Sequence, residues 1–357
     1  MIFRTLIVLA ACAATAPALA QDACANRGQL DPLYCDADND LVADAPTDPA
    51  KLKDPQTIIF AYSPVENPAV YQAVYQPLMN HLSTCIGRKV VNFPVQNYAA
   101  QIEAMRSGRL HIALYPTGAV GFAVNLAGAI PFAVNGSARG VSGYKVQAIV
   151  NADSPYKGLA DLKGKRVAHT APSSNSGNLA PRVYFGDEGL KPDVDYKPLM
   201  SGGHDKSVMG IVNGDYDMAP VASDVLDRMI KRGTIKDGLV RIIWESPLFP
   251  TSPWAMPHDL KPELAKKITD CFIGYQWDEA MKKEYFGEDR FYPMTYKETW
   301  KPIREVAEKS GTPYNKSAYD AQVKREAEAA AKKAADEAAK KAAAPAAPAA
   351  PPAAPKP

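Results

Sequence analysis

Residues 166–181, which read RVAHTAPSSNSGNLAP, decide how this chain is expected to fold. A short apolar strand pattern runs into hydroxyl and amide side chains and then into the start of a helix. A helix begun in this way directs unpaired backbone N–H groups and the positive end of its dipole to one point. Ser173, Ser174 and Ser176 add hydroxyl donors there, so the point favours an oxyanion. Ser and Asn are also the ordinary residues of turns and N-caps.

Short strands and amphipathic helices alternate from residue 57 onward, a pattern typical of an α/β fold with largely parallel strands. A first series has strands at 57–62, 89–95 and 110–115, and helices at 68–86 and 98–107. The apolar stripe of the first helix is Val70, Val74, Leu78, Leu82 and Cys85.

A second series follows it. Its strands are predicted at 144–151, 165–170, 195–200 and 216–221, and its helices at 178–188, 205–213 and 224–232. A strand at 240–245 then leads back, and a helix at 261–275 returns to the first lobe. We therefore predict lobe 1 at 55–143 with 245–315 and lobe 2 at 144–244. Two lobes joined by two crossings enclose a cleft, where ligands of α/β proteins bind.

The ends of the chain have a different composition. Residues 1–20 combine the basic Arg4, an apolar run and a small-residue end, which predicts a cleaved secretory signal. Cys12 lies in a lipoprotein-like sequence, a second interpretation that would shorten the signal. No other stretch is apolar for the ~20 residues of a membrane span. Residues 21–54 form an N-terminal extension, and residues 316–357 an Ala/Lys/Pro-rich tail expected to act as a tether or mobile end.

Four cysteines remain after the predicted signal, an even number in an oxidising compartment. Pairing Cys24 with Cys35 would close the N-terminal extension. Pairing Cys85 with Cys271 would tie two distant stretches into one lobe, which fits the predicted return of the chain, although three connectivities are formally possible.

Charge is nearly balanced, with 41 Lys and Arg against 39 Asp and Glu and a net charge of +2. The chain therefore lacks the global field that would gather nucleic acid or membrane phosphates. Any selectivity for an anion must come from local groups.

The N-terminal extension contains an acidic loop. Asp36, Asp38, Asp40 and Asp44 stand at positions one, three, five and nine of a calcium-loop-like stretch. Leu41 occupies position six, where glycine is expected, and no Glu stands at position twelve. The alternative is a solvated acidic loop beside the Cys24–Cys35 pair, and the sequence indicates no other cofactor.

Polar or aromatic residues follow several predicted strands. Tyr62 and Ser63 follow the first strand, Tyr115 and Thr117 the third, and the serine cluster follows the second strand of lobe 2. Helices of lobe 2 also open on the pairs His204-Asp205 and Ser223-Asp224. Because several strands end in polar or aromatic residues on the side of the cleft, we predict one site there.

Over residues 54–311 the chain resembles the periplasmic substrate-binding proteins of phosphate, phosphite and phosphonate ABC importers. The resemblance rests on FAY at 60–62, QIEAMRSG at 101–108, DLKGKRV at 161–167, SSNSG at 173–177, SGGHD at 201–205 and NGDYD at 213–217. It departs from the family at Asn175, where Thr is common, and at YPTG of 115–118. These departures affect the pocket for the ligand's substituent.

This resemblance implies a type II periplasmic binding protein fold: two lobes with mixed or parallel sheets flanked by helices, and a double hinge crossover. It implies a monomer in the periplasm that delivers a phosphorus oxyanion to a membrane permease. Carried over position by position, the ligand contacts are Tyr62, Tyr115, Ser173, Ser174, Asn175, Ser176, His204 and Asp224.

Each group has a role that its chemistry suggests. The serines and the nearby backbone N–H groups would hold oxygens of a tetrahedral anion, and His204 would donate to another. Asp224 would repel a bare oxyanion, so it would select a protonated one or contact an amino substituent; helix capping is its alternative role. Tyr62 and Tyr115 would pack on the apolar part and donate an O–H to its rim.

Two other functions remain open from the sequence. Ser174, His204 and Asp224 are the residue types of a hydrolase triad, but the chain has no Gly-x-Ser-x-Gly elbow. The same fold would also serve as the ligand-sensing input of a signalling partner. The sequence does not distinguish phosphate from phosphite, methylphosphonate, aminoethylphosphonate or arsenite.

Overall fold

The computed structural model describes residues 24–63 and 65–343, so the predicted signal at 1–20 and the end of the tail lie outside the described residues. The strands are β1 (Thr57–Tyr62), β2 (Lys89–Asn92), β3 (Ile112–Leu114), β4 (Ala129–Ser137), β5 (Gly140–Val141), β6 (Gly143–Tyr144), β7 (Val146–Asn151), β8 (Ala168–His169), β9 (Leu199–Met200), β10 (Ala219–Ala222), β11 (Val240–Glu245), β12 (Phe249–Pro250), β13 (Trp254–Pro257) and β14 (Arg290–Pro293).

The α-helices are α1 (Ala69–Ile86), α2 (Tyr98–Arg106), α3 (Val120–Ala127), α4 (Ala180–Tyr184), α5 (His204–Val212), α6 (Ser223–Lys231), α7 (Pro262–Ile273), α8 (Glu279–Glu284), α9 (Tyr296–Thr299), α10 (Lys301–Lys309) and α11 (Lys316–Ala343). A π-helical turn at Asn175–Leu179 precedes α4. Short 3₁₀ turns lie at Pro49–Lys51 and Leu159–Leu162.

A seven-stranded sheet forms the first lobe, in the order β14-β4-β13-β3-β1-β2 with β5 beside β4. Strand β1 pairs parallel with β2 and β3, whereas β13 and β14 pair antiparallel with their neighbours. The returning part of the chain therefore completes this sheet. The sheet is mixed, not largely parallel as the alternation of strands and helices suggested.

Lobe 2 has an antiparallel sheet in the order β10-β7-β11 and a parallel pair, β8 and β9. A parallel bridge between Val167 and Met218 links the pair to the sheet, so β8 ends beside β10. This arrangement places the serine loop after β8 and the start of α6 after β10 at one edge, facing lobe 1.

The two crossings between the lobes lie side by side. Phe249 pairs with Tyr144, and Pro250 with Gly143, in an antiparallel ribbon of β6 and β12. The ribbon is the double hinge crossover of a type II binding protein fold. The predicted lobe boundaries at 143–144 and 244–245 lie at or close to this ribbon.

Elements with a clear hydrophobic period agree with the sequence predictions. Strands β1 and β11 have the predicted bounds, and α2 ends one residue before the predicted end. The prediction missed α3 and β4. All eight residues of α3 are buried, so that segment is apolar on every side and shows no helical period.

The buried face of α1 is wider than the predicted stripe. Its buried residues are Tyr71, Val74, Tyr75, Leu78, Met79, Leu82 and Ile86. Val70 is only half-buried, and Cys85 is exposed. The face therefore includes two tyrosines that the stripe left out, and these tyrosines reach the cleft.

Helix α11 begins against lobe 1. Tyr319 is buried against Phe122, and its hydroxyl donates to Glu103 at 3.1 Å. The predicted tail at 316–357 therefore starts with a docked turn. Among the described residues no helix combines the length and apolar character that crossing a bilayer requires.

Both predicted disulfides are present, Cys24–Cys35 and Cys85–Cys271. The second joins α1 to α7 across 186 positions of sequence, and both helices pack on the same face of the lobe 1 sheet. It restricts the unfolded chain roughly twice as much as the first, which closes only 11 positions.

Replacing Cys85 and Cys271 together by alanine should lower the free energy of unfolding by about 2–5 kcal/mol, because the unfolded chain gains conformational freedom. Urea unfolding measures the change. Replacing Cys24 and Cys35 together is the matched control and should lower the free energy of unfolding by roughly half as much, because the stabilisation grows with the logarithm of loop length. Equal losses in the two double variants would contradict this assignment.

Candidate anion-binding site

A cavity lies between the lobes, where strand ends with polar residues from both lobes meet. Its volume, counted as space open to the centre of a water molecule, is about 60 Å³. This is room for several water-sized groups. It is therefore sized for a small solute. Its polar and aromatic lining includes Tyr62, Tyr75, Tyr98, Tyr115, Thr117, Asn135, Tyr144, Ser174, Asn175, Ser176, His204, Asp224 and Arg228.

The serine loop forms the lobe 2 wall. Ser174 is the N-cap of the π-helical turn, and its hydroxyl oxygen accepts the Gly177 N–H at 3.0 Å. The backbone N–H groups of Asn175 and Ser176 have no acceptor among the described residues. Because an oxyanion accepts such hydrogen bonds well, these groups form a ready anion site at the start of a helical segment.

Lobe 1 approaches this loop at Gly118. A Cβ atom on Gly118 would lie 2.2 Å from the Ser173 carbonyl oxygen and 2.6 Å from the Asn175 nitrogen. Both are backbone atoms, which cannot swing aside. Glycine is therefore required at this position for the lobes to meet as they do here.

His204 begins α5 and is buried at the same wall. Its Nε2 shares a hydrogen bond with the Ser176 hydroxyl at 3.2 Å, and its backbone N–H donates across the cleft to the Val65 oxygen at 2.9 Å. Burial lowers the pKa of His204 to about 4, although Asp224 and Glu66 oppose the shift. The ring is therefore neutral at pH 7, with one nitrogen available as a donor.

Asp224 lies in the first turn of α6 and lines the cavity. Its Oδ2 accepts from Nη1 of Arg228 at 2.9 Å, while Oδ1 is buried without a partner among the described residues. The carboxylate is thus held by a cation on one side and free on the other. The free oxygen can accept from a protonated ligand atom.

The two predicted tyrosines line the cavity, but their hydroxyls point elsewhere. Tyr62 donates to the Pro68 oxygen at 3.1 Å, and Tyr115 to the Gln101 oxygen at 3.3 Å. In this geometry nearby backbone carbonyls accept from both groups, and O–H donation to a ligand stays a prediction. The rings of both tyrosines form walls of the cavity.

Tyr144, which the sequence did not single out, has its hydroxyl in the cavity region. The Asn175 amide donates to that oxygen at 2.8 Å, and burial raises the pKa of Tyr144 to about 12. The phenol therefore keeps its proton at neutral pH. Its position in the hinge ribbon gave no periodic signal that could have marked it.

Four buried polar atoms around the cavity have no partner among the described residues: Asn135 Oδ1, Asn175 Oδ1, His204 Nδ1 and Asp224 Oδ1. Buried polar atoms are nearly always hydrogen-bonded, and an unpaired one costs about 1–3 kcal/mol. A cluster of them around one cavity is the arrangement expected of a site that a polar ligand completes.

Seven of the eight predicted ligand contacts line this cavity, namely Tyr62, Tyr115, Ser174, Asn175, Ser176, His204 and Asp224. Ser173 does not; it is buried beneath the loop, with its carbonyl against Gly118. Sequence reasoning missed Arg228 and Glu66, whose only sequence signal is an ordinary charged residue on a helix or in a loop. For the eight predicted residues, contact with a ligand stays a prediction.

The residue types of a hydrolase triad do not assemble as one. His204 contacts Ser176 rather than Ser174, and the Asp224 carboxylate is bound by Arg228 rather than by the histidine ring. A serine nucleophile needs its base oriented by the acid, and this geometry lacks that link.

In the acidic extension, single carboxylate oxygens of Asp36, Asp38 and Asp40 lie within 4.8 Å of one another. Asp44 instead accepts the Ala37 N–H at 2.7 Å, and Asp36 accepts backbone N–H groups of residues 40 and 41. Calcium binding here stays a prediction. A melting temperature that does not change on adding calcium would favour the solvated loop.

Fold and site together define the class: a two-lobed binding protein of type II whose closed cleft offers neutral donors to a small anion. The family of ABC transporter phosphonate periplasmic substrate-binding proteins matches over residues 60–299, two thirds of the chain. The chain belongs to that family.

Two curated relatives are similar at 31% identity. One is a phosphate-import protein, PhnD, of Mycolicibacterium smegmatis, aligned over 257 residues that cover 69% of this chain and 80% of the relative. The other is a phosphonates-binding periplasmic protein of Escherichia coli, aligned over 205 residues that cover 56% of this chain and 61% of the relative.

Two solved structures share the fold. The binding protein component of an ABC phosphonate transporter from Pseudomonas aeruginosa aligns with a TM-score of 0.65 and 24% identity, covering 80% of this chain and all of that one. PhnD1 from Prochlorococcus marinus, solved with methylphosphonate, aligns with a TM-score of 0.64 and 20% identity over 72% of this chain and 99% of that one.

The neutral state of His204 gives a direct test by nuclear magnetic resonance. The imidazoles of His204 and of His169, whose pKa burial also lowers to about 4, should titrate near pH 4 in the folded protein. In urea they should titrate near 6.5. Because the unfolded chain then binds more protons, the free energy of unfolding should fall as the pH drops from about 6.5 to 4. Titration near 6.5 in the folded state would contradict the buried, neutral assignment.

Proposed function

We propose that this protein captures a small phosphorus oxyanion, a phosphonate, phosphite or phosphate, in the interlobe cavity. The observation that carries the proposal is the pair of N–H groups at Asn175 and Ser176, which have no acceptor among the described residues and belong to two residues that line the cavity. Hydrogen bonds to a charged acceptor are about twice as strong as neutral ones. The family and the names of the relatives, one importing phosphate and one binding phosphonates, support this ligand class.

The ligand would carry a proton on one oxygen. Asp224 presents a buried, unpaired oxygen to the cavity, and a carboxylate repels an anion unless a proton lies between them. Phosphate, phosphite and phosphonate monoanions all offer a P–OH group. Sulfate has none at neutral pH, so it would be rejected.

Capture would proceed without chemistry on the ligand. The closed lobes would present a surface to the membrane permease of an ABC importer, and the protein would work as a monomer in the periplasm. The unassembled serine, histidine and aspartate support binding over hydrolysis. The family, whose members are periplasmic substrate-binding proteins, supports the location and the importer.

Calorimetric titration with phosphate, phosphite, methylphosphonate and 2-aminoethylphosphonate tests the proposal, with sulfate as the control anion. At least one phosphorus oxyanion should bind saturably and be recovered unchanged. Ser176→Ala should weaken that binding by about tenfold, because a hydrogen bond to a charged group is lost. Ser310→Ala, at the end of α10 away from the cleft, should not. Binding of sulfate alone would overturn the proposal.

The tight contact at Gly118 makes closure testable. Gly118→Ala should hold the lobes apart, because the added methyl group meets backbone atoms of the serine loop. Ligand affinity should fall by more than about tenfold, and small-angle scattering should show no compaction on adding ligand. Gly158→Ala, whose Cβ meets no atom within 4 Å, is the matched control. Unchanged affinity in Gly118→Ala would show that the lobes close differently.

A further inference from the structure

Beside the cavity the two lobes are joined by buried charges. We call Glu66, Glu284, Arg228 and Arg232 the cross-lobe ion network. The arginines lie four residues apart, Arg228 on α6 and Arg232 just beyond its end, both in lobe 2. Glu66 follows β1, and Glu284 ends α8, both in lobe 1. Glu66, Arg228 and Glu284 are 4%, 6% and 8% exposed.

The contacts of the network cross the cleft. Arg228 Nε lies 3.4 Å from Glu66 Oε1 and 3.8 Å from Glu284 Oε1. Arg232 bonds Glu66 directly and donates from Nη1 to Glu284 Oε1 at 2.9 Å. Opening the hinge would separate the carboxylates from the arginines, because the two kinds of charge belong to different lobes.

Neighbouring tyrosines fix this arrangement. Tyr71 of α1 donates its hydroxyl to Glu66, and the ring of Tyr285 lies 5.6 Å from the centre of the Arg228 guanidinium. Both aromatic residues belong to lobe 1. When the lobes meet, the guanidinium of Arg228 therefore has one defined position.

The network ends at the ligand cavity. Arg228 and Asp224 both line it, and Arg228 Nη1 donates to Asp224 Oδ2 at 2.9 Å. This bond leaves Asp224 Oδ1 as the buried oxygen without a partner among the described residues. The direction of the carboxylate thus depends on a guanidinium that lobe 1 holds in place.

We propose that Arg228 is a positioning residue of the ligand site, held by Glu66 and Glu284 when the lobes close and in turn aiming the Asp224 carboxylate at the ligand. This inference rests on the proposed function and deepens it. Lobe 2 alone supplies the oxyanion donors and the carboxylate, but lobe 1 decides where the carboxylate points. Discrimination between ligands is completed by closure.

If the cross-lobe ion network only stabilised the closed arrangement of the lobes, its loss would affect ligand binding differently. Its loss would lower affinity for every ligand by the same factor, whatever residue stands at position 224. If Arg228 positions Asp224, substitutions at the two sites are coupled instead. Coupling of substitutions in contact is measured by a double-mutant cycle.

The test uses the full chain and calorimetric titration with phosphite and methylphosphonate. Asp224→Asn, Arg228→Lys and the double variant form the cycle, because lysine keeps the charge and loses the planar fork. Asp224→Asn should weaken binding by about tenfold in the native background and by less than about twofold with Arg228→Lys. Equal effects in both backgrounds would overturn the inference.

Glu66→Gln tests the lobe 1 side of the network. It should weaken binding by about tenfold, chiefly through faster dissociation, because closure then buries the arginine charges without their partner. Asp217→Asn is the matched control, since it breaks the Arg166–Asp217 pair within lobe 2. If Glu66→Gln fails to fold, binding by Glu284→Gln is measured instead, because Glu284 contacts the same two arginines.

The outcomes separate the two proposals. If the unaltered protein binds none of the phosphorus oxyanions, the proposed function is wrong, and the inference with it. If it binds them and Glu66→Gln binds equally well, only the inference is overturned. Weaker binding by Glu66→Gln together with a coupled cycle supports both.

Discussion

An anion that leaves water needs hydrogen-bond donors already in place, and here those donors are backbone N–H groups at the first turn of a helical segment. The groups at Asn175 and Ser176 cannot pair within their own helix, so they are available without rearrangement. They cannot enclose a solute alone. Lobe 1 covers this turn, joined to lobe 2 by the hinge ribbon and meeting the turn closely at Gly118.

The charges around the cavity nearly cancel, which fits the small net charge of the chain. His204 is neutral, and the cations Arg228 and Arg232 face the carboxylates of Glu66, Glu284 and Asp224. The proposed attraction for an anion would therefore come from oriented dipoles and hydroxyls. Such groups discriminate by geometry and proton position, whereas a bare cationic pocket would accept most small anions.

The sequence predicted the parts that have a local signal. Strands β1 and β11 and the serine loop follow from residues near one another, and the disulfides from the cysteine count together with the predicted return of the chain to lobe 1. Helix α3 was not predicted, because it is buried on every side and therefore shows no helical period. The pairing of Arg228 with Glu66 spans 162 residues, and neither residue is unusual in its own segment. The direction of the Tyr115 hydroxyl could not be predicted from the sequence either, because the carbonyl of Gln101 on α2 sets it.

The antiparallel pairing of β6 with β12 has a consequence for how affinity can vary. Since the two connecting segments are hydrogen-bonded to each other, we expect them to bend together when the cleft opens. A substitution in the ribbon that changes only the fraction of open molecules would rescale the apparent dissociation constants of all solutes by a common factor. Overall affinity and preference among solutes can therefore change independently in this molecule.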